Sequence, residues 1–98
     1  MADDPVKVAS NNYKVLFENE RVRLLEVREG PGEATPVHGH PAYLVYGLST
    51  GQVKLSSPTG ESAEVEVAAG DVMWREPEEH STENIGSTEL RALFFELK

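Results

Sequence analysis

The sequence predicts an all-β domain of short strands, a sandwich or barrel, and three observations carry that reading. Apolar and polar residues alternate with a period of two in several places, most cleanly at 52–56 and 63–67. Glycine and proline punctuate those stretches at close intervals, as in Gly30-Pro31-Gly32 and Ser57-Pro58-Thr59-Gly60. No segment sustains the 3.6-residue apolar period of an amphipathic helix. With 98 residues and no internal repeat, linker or low-complexity tract, residues 1–98 are expected to form a single domain.

The elements follow in order. Residues 1–10 lack periodicity and read as a loose arm or an edge strand. Strands are predicted at 13–17 and 21–28, separated by the turn-like Glu18-Asn19-Glu20 and ended by Gly30-Pro31-Gly32. A short extended piece at 37–40 precedes 43–48, which is apolar on both faces. Such a strand is expected to be buried on both sides, between two sheets or between two subunits. Gly47 inside it signals a bulge or a close backbone approach. The segments 52–56 and 63–67 flank a strong turn and form a hairpin. Ala69-Gly70-Asp71 turns the chain into 72–75, and further strands are predicted at 80–85 and 90–97, for a total of eight to ten.

Charge and composition narrow the function. Seventeen acidic against nine basic residues leave a net charge of −8, which repels nucleic acid and anionic membrane surfaces as partners. Cysteine is absent, so no disulfide and no thiolate ligand is available, and nothing demands an oxidising compartment. The start Met1-Ala2-Asp3-Asp4-Pro5 is acidic where a secretory signal would be basic, and no apolar run approaches the roughly 18 residues of a membrane span. A cytoplasmic protein is expected. There is no Gly-x-Ser-x-Gly elbow and no glycine-rich phosphate loop opening a helix.

The chemistry-bearing residues are the three histidines, His38, His40 and His80. Side chains at i and i+2 of a strand share a face about 6.7 Å apart, so His38 and His40 can lean onto one ion while another strand brings His80. Three neutral imidazoles with solvent in the open positions make a catalytic-type shell. The residue types suit one divalent transition metal per chain, Fe, Zn, Ni, Cu or Mn, without choosing among them. The plain alternative is three ordinary polar residues on strands and loops. Glu76, Glu78, Glu79 and Glu83 flank His80 and read first as a solvated loop, second as a rim that draws in cations. Arg23 and Arg75 read first as solvated, second as anchors for an anionic ligand. The aromatic residues are expected in the core, and Tyr43, Leu44, Tyr46, Trp74 and Phe94 are candidates to line a cavity.

The spacing of these residues resembles the two sequence motifs of the cupin superfamily. Gly32, His38, His40 and Gly51 fit the first, a glycine followed by His-x-His, a glutamate and a second glycine. Gly70, His80 and Asn84 fit the second, and the likeness covers residues 30–97. The chain is thus similar to small single-domain, RmlC-like cupins. That resemblance implies a jelly-roll β-barrel, a homodimer, metal at His38, His40 and His80, and a small organic ligand beside it. It implies a structural turn role for Asn84. Activities known in the superfamily include iron-dependent oxygenases with three histidines. A non-catalytic ligand-binding or sensing module and a metal-free degenerate barrel are the alternatives. Two features depart from the pattern. The first-motif glutamate is missing, its place taken by Tyr43 or Leu44 according to the frame, and Arg75-Glu76-Pro77-Glu78-Glu79 replaces the Pro-x-Gly before His80.

Overall fold

The computed structural model describes residues 3–98; Met1 and Ala2, part of the arm expected at 1–10, lie outside the described residues. In place of a loose arm or edge strand, the segment after them forms the one-turn helix α1 (Pro5–Val8). Asp4 caps it by accepting the Val6 N–H at 2.9 Å, and Pro5 supplies the fixed φ of a first helical residue. One turn is too short for its period to show in the sequence.

Nine strands follow: β1 (Tyr13–Glu18), β2 (Val22–Glu29), β3 (His38–His40), β4 (Tyr43–Gly47), β5 (Gly51–Ser56), β6 (Ser62–Val67), β7 (Val72–Arg75), β8 (Glu78–Asn84) and β9 (Leu90–Leu97). They build two antiparallel sheets, ordered β1-β2-β9-β4-β7 and β3-β8-β5-β6. The predicted hairpin is β5-β6, with Val53 opposite Val65. Strand β8 starts two residues earlier than expected, so Glu78 belongs to the strand that carries His80.

Inside the five-stranded sheet, Tyr13, Leu25, Tyr43, Val45 and Ala92 are buried, with Phe94 packed against them. Gly47 behaves as a close-approach glycine. A Cβ there would collide with the Ala68 backbone carbonyl, while Gly47 itself bonds Asp71 and Gly70 through its backbone.

Strand β4 buries Tyr43, Val45 and Gly47 but leaves Leu44 and Tyr46 exposed, so within the chain only one of its faces is covered and two packed sheets do not account for its apolar outer face. The outer face carries a continuous cross-strand row, Phe17-Leu24-Phe95-Leu44-Trp74, that crosses all five strands of the sheet. Phe17 is 54% and Trp74 47% exposed. Large contiguous apolar surface of this kind is uncommon on a lone chain.

Candidate metal centre

The site begins with a three-residue strand. In β3 the pleat turns His38 and His40 to the interior on either side of Gly39. Antiparallel pairing with β8 sets His38 directly opposite His80, and the residue two before His80, Glu78, opposite His40. The register thus gathers all three histidines. Each is buried, and the ring centroids stand 4.8–5.1 Å apart. One ligand atom from each lies within 4.8 Å of the others, and among the described residues no carboxylate joins the cluster. Two metal–nitrogen bonds of about 2.0–2.2 Å span at most about 4.4 Å, so small ring movements close the group onto an ion.

The hydrogen bonds of the rings decide which nitrogens face inward. His38 Nδ1 meets the Pro36 carbonyl at 2.8 Å, His40 Nδ1 meets Glu96 Oε2 at 2.7 Å, and His80 Nδ1 meets Glu78 Oε1 at 3.0 Å. A carbonyl or a carboxylate can only accept, so each Nδ1 carries the proton and each Nε2 keeps its lone pair. The Tyr13 hydroxyl donates to His38 Nε2 over a long 3.3 Å. His40 Nε2 and His80 Nε2 are buried with no partner. Two orphaned buried acceptors are costly in an ordinary core, and they are what a metal would satisfy. The donor set therefore fits a divalent transition metal.

The two carboxylates that hold the rings are themselves held. Glu96 receives Arg23 Nε at 2.8 Å, and Arg23 also grips the helix cap Asp4 at 2.8 Å. Glu78 receives Arg75 through two bonds of 2.7 Å and the Tyr43 hydroxyl at 2.8 Å. Burial alone would raise the Glu78 carboxyl, but the bonds from Arg75, His80 and Tyr43 outweigh it and hold it far below the usual carboxylate range. Arg23 and Arg75 are thus neither solvated nor free for a ligand. Glu78 leaves the expected solvated cluster, whereas Glu76 and Glu83 are exposed.

Of the candidate cavity residues, Tyr43 and Phe94 line a barrel cavity of about 80 Å³ that His80 also borders. Leu44, Tyr46 and Trp74 lie on the outer face instead, because each alternates with an inward neighbour along the pleat. Of the two residues at the first-motif glutamate's place, Tyr43 faces the interior, its ring 4.7 Å from that of His40, and Leu44 faces outward. Asn84 is a structural anchor: it donates to the Glu29 and Thr88 carbonyls and accepts from Gly86. Sequence reasoning placed Glu78 in a solvated loop or a cation-attracting rim and missed Glu96. Glu96 had a signal, being the one charged side chain in the inward series Leu90, Ala92, Phe94, Glu96.

Burial pulls His38 down to about 4, the Pro36 hydrogen bond opposing the shift. Its stabilising effect in the metal-free protein is present above pH 6.5 and is lost as pH falls toward 4. The buried carboxyl of Glu29 runs the other way. Burial raises it to about 7, so its contribution is present below about pH 4.5 and lost as pH rises through 7. Chelator-treated wild type should therefore gain on Glu29→Gln as pH is lowered from 7 to 4.5, by up to roughly 3 kcal/mol. Denaturant unfolding of both proteins across that window measures the gap. Parallel stability curves would contradict the assignment.

No family model and no curated protein matches this chain. Solved structures do. A cupin domain from Bordetella pertussis Tohama I superposes with a TM-score of 0.80 and 34% identity, covering 88% of this chain and 91% of that one. An RmlC-like cupin with a double-stranded β-helix fold from Methanocaldococcus jannaschii gives 0.68 at 17% identity, covering 87% of this chain and 77% of that one. The cupin domain of Schizosaccharomyces pombe Cnp3 gives 0.67 at 17% identity, over 88% of this chain and 63% of that one. The latter two speak for the fold alone. Together with a third of its residues identical over nearly the whole Bordetella domain, the two-sheet barrel and its paired histidine strands place this chain in the cupin superfamily.

Proposed function

We propose that this cupin holds one divalent transition metal per chain through Nε2 of His38, His40 and His80, with a small organic molecule beside the ion. The observation that carries the proposal is the pair of orphaned Nε2 atoms at the centre of a cluster whose three Nδ1 atoms are all tied outward. When bound, the ion supplies Lewis acidity and, if it is iron, redox chemistry. The chain's own contribution is to fix three neutral ligands by carboxylate and carbonyl acceptors and to keep them out of bulk water. An open groove bordered by Arg23, His40, Pro41 and Glu78 offers an approach from solvent.

Two activities are compatible with that centre. An iron-dependent oxygenase is the first. A non-catalytic binding or sensing module is favoured by a specific observation: Glu78 and Glu96 are saturated by arginine, tyrosine and histidine bonds, so neither is free to act as a general base. The interior cavity, about 80 Å³, is also well below the few hundred typical of drug-sized ligands and restricts the ligand to a few heavy atoms. Oxygen consumption by ferrous-reconstituted protein separates the two readings.

The working assembly is a cytoplasmic homodimer. No described helix is long and apolar enough to cross a membrane. The exposed row from Phe17 to Trp74 supports self-association through the five-stranded sheet.

Protein purified without a histidine tag should contain about one equivalent of transition metal per chain by elemental analysis. His40→Ala should lose most of it, and Glu96→Gln should weaken binding about 10–100-fold by releasing the His40 ring. Full metal content in His40→Ala would refute the centre. Trp74→Glu, on the outer face, should shift sedimentation equilibrium from dimer to monomer while metal content stays unchanged; a monomeric wild type would end the dimer proposal.

A further inference from the structure

The histidine shell leaves one buried ionisable group unexplained. Glu29, at the end of β2, is 4% exposed and borders the same cavity as His80. Its Oε2 accepts the Thr82 hydroxyl at 2.8 Å. Because that hydroxyl donates to Glu29, the Thr35 hydroxyl, 2.8 Å from it, donates to Thr82 in turn, and also accepts the Thr82 N–H at 3.1 Å. Two buried threonines thus point a chain of hydroxyls at one carboxylate. The Thr82 hydroxyl favours the ionised carboxylate, but burial outweighs it and the site holds no counter-ion. Among the described residues no lysine, arginine or histidine forms an ion pair with Glu29. Of the arginines bordering the cavity, Arg75 is taken by Glu78, and Arg91 is exposed.

The nearest charges make the gap sharper. Burial raises the Glu29 carboxyl, and Glu33 and Glu83 push it further in the same direction. A buried carboxylate among like charges is expensive unless a cation or donor meets it. The wall around it is aliphatic, with Val53, Leu55, Val65 and Val67 from the β5-β6 hairpin. On β8, Thr82 follows His80 on the same face, about 6.7 Å along the strand. A ligand head at Thr82 therefore sits one pleat step from the histidine cluster.

We infer that this cavity is a subsite for a small alkylammonium ion, its charged head on Glu29 and Thr82 and its short alkyl body against Val53, Leu55 and Val65. The inference names the ligand class of the proposed centre, and it rests on that reading only for the ligand's place beside a metal. An anion is disfavoured by Glu29, Glu33 and Glu83 together. A neutral alcohol can donate one hydrogen bond but leaves the carboxylate uncompensated. The cavity is about 80 Å³, roughly half of one known to hold benzene, which limits the guest to about four or five heavy atoms.

The test is a titration of chelator-treated protein at pH 8, followed by amide and methyl NMR shifts, with propylamine, 1-propanol and acetate as probes. Propylamine should move the resonances of Val53, Leu55, Val65 and Thr82 and bind at least tenfold more tightly than 1-propanol; acetate should not bind. Glu29→Gln should remove that tenfold preference while 1-propanol affinity stays the same. Val65→Phe, which fills the cavity, should abolish binding of both neutral and cationic probes and covers the case in which Glu29→Gln does not fold. Equal affinity for amine and alcohol, an undiminished preference in Glu29→Gln, or no binding of propylamine to the folded wild type would overturn the inference. Because the titration is done without metal, its failure leaves the histidine centre standing, and a metal-free native protein that still binds propylamine separates the two in the other direction.

Discussion

The register of β3 against β8 is the constraint on which the rest of the site depends. It sets His38 opposite His80 and His40 opposite Glu78. Side chains alternate with a period of two, so a slip of one residue would turn His38 and His40 to solvent and leave Gly39 facing the interior. A strand of three residues has little pairing of its own to hold that register. The neighbouring structure does so instead: Gly39 bonds the Asp3 carbonyl, and His40 is tied through Glu96 to β9. The N-terminal segment, the histidine strand and the last strand are thus one mechanical unit.

Electrostatics explains why so acidic a protein can bury these groups. Glu29 apart, two carboxylates enter the interior, and each is matched by an arginine before it reaches a histidine. Arg23 lies between Asp4 and Glu96, and Arg75 clasps Glu78 with both bonds of its fork. Charge-assisted, two-point contacts of this kind orient a carboxylate as well as stabilise it. The carboxylates then orient the rings, and the rings present their lone pairs to a common centre. Tyr43 faces the interior beside His40 and adds its hydroxyl to Glu78. That bond is a further support for the carboxylate that holds His80, and the cluster of possible ligands is all imidazole.

Much of this was legible in the sequence, and the failures have physical causes. The strands at β2, β5, β6 and β9 followed from alternation and turn residues, and the histidines from strand spacing. The i, i+2 pair was informative because it has meaning only in extended backbone. Helix α1 was missed because one capped turn has no period to detect. Leu44, Tyr46 and Trp74 were expected to line a cavity because an apolar strand does not reveal which of its faces meets the interior; pairing with β7 and β9 decides that. Glu78 and Glu96 escaped because a charged residue reads as solvated until a buried arginine or imidazole is known to face it. No local pattern links Arg23 to Glu96 across 73 positions.

The central claim is that three Nδ1-protonated rings aim their Nε2 atoms at one point. Long-range proton–nitrogen NMR of the histidine side chains tests it directly, first in the metal-free protein and then with zinc added stepwise. The expected result is an Nδ1–H with an unprotonated Nε2 in His38, His40 and His80, and a concerted shift of all three Nε2 signals that is complete at one equivalent. An Nε2–H tautomer in any of the three, or a shift confined to one or two rings, would contradict it.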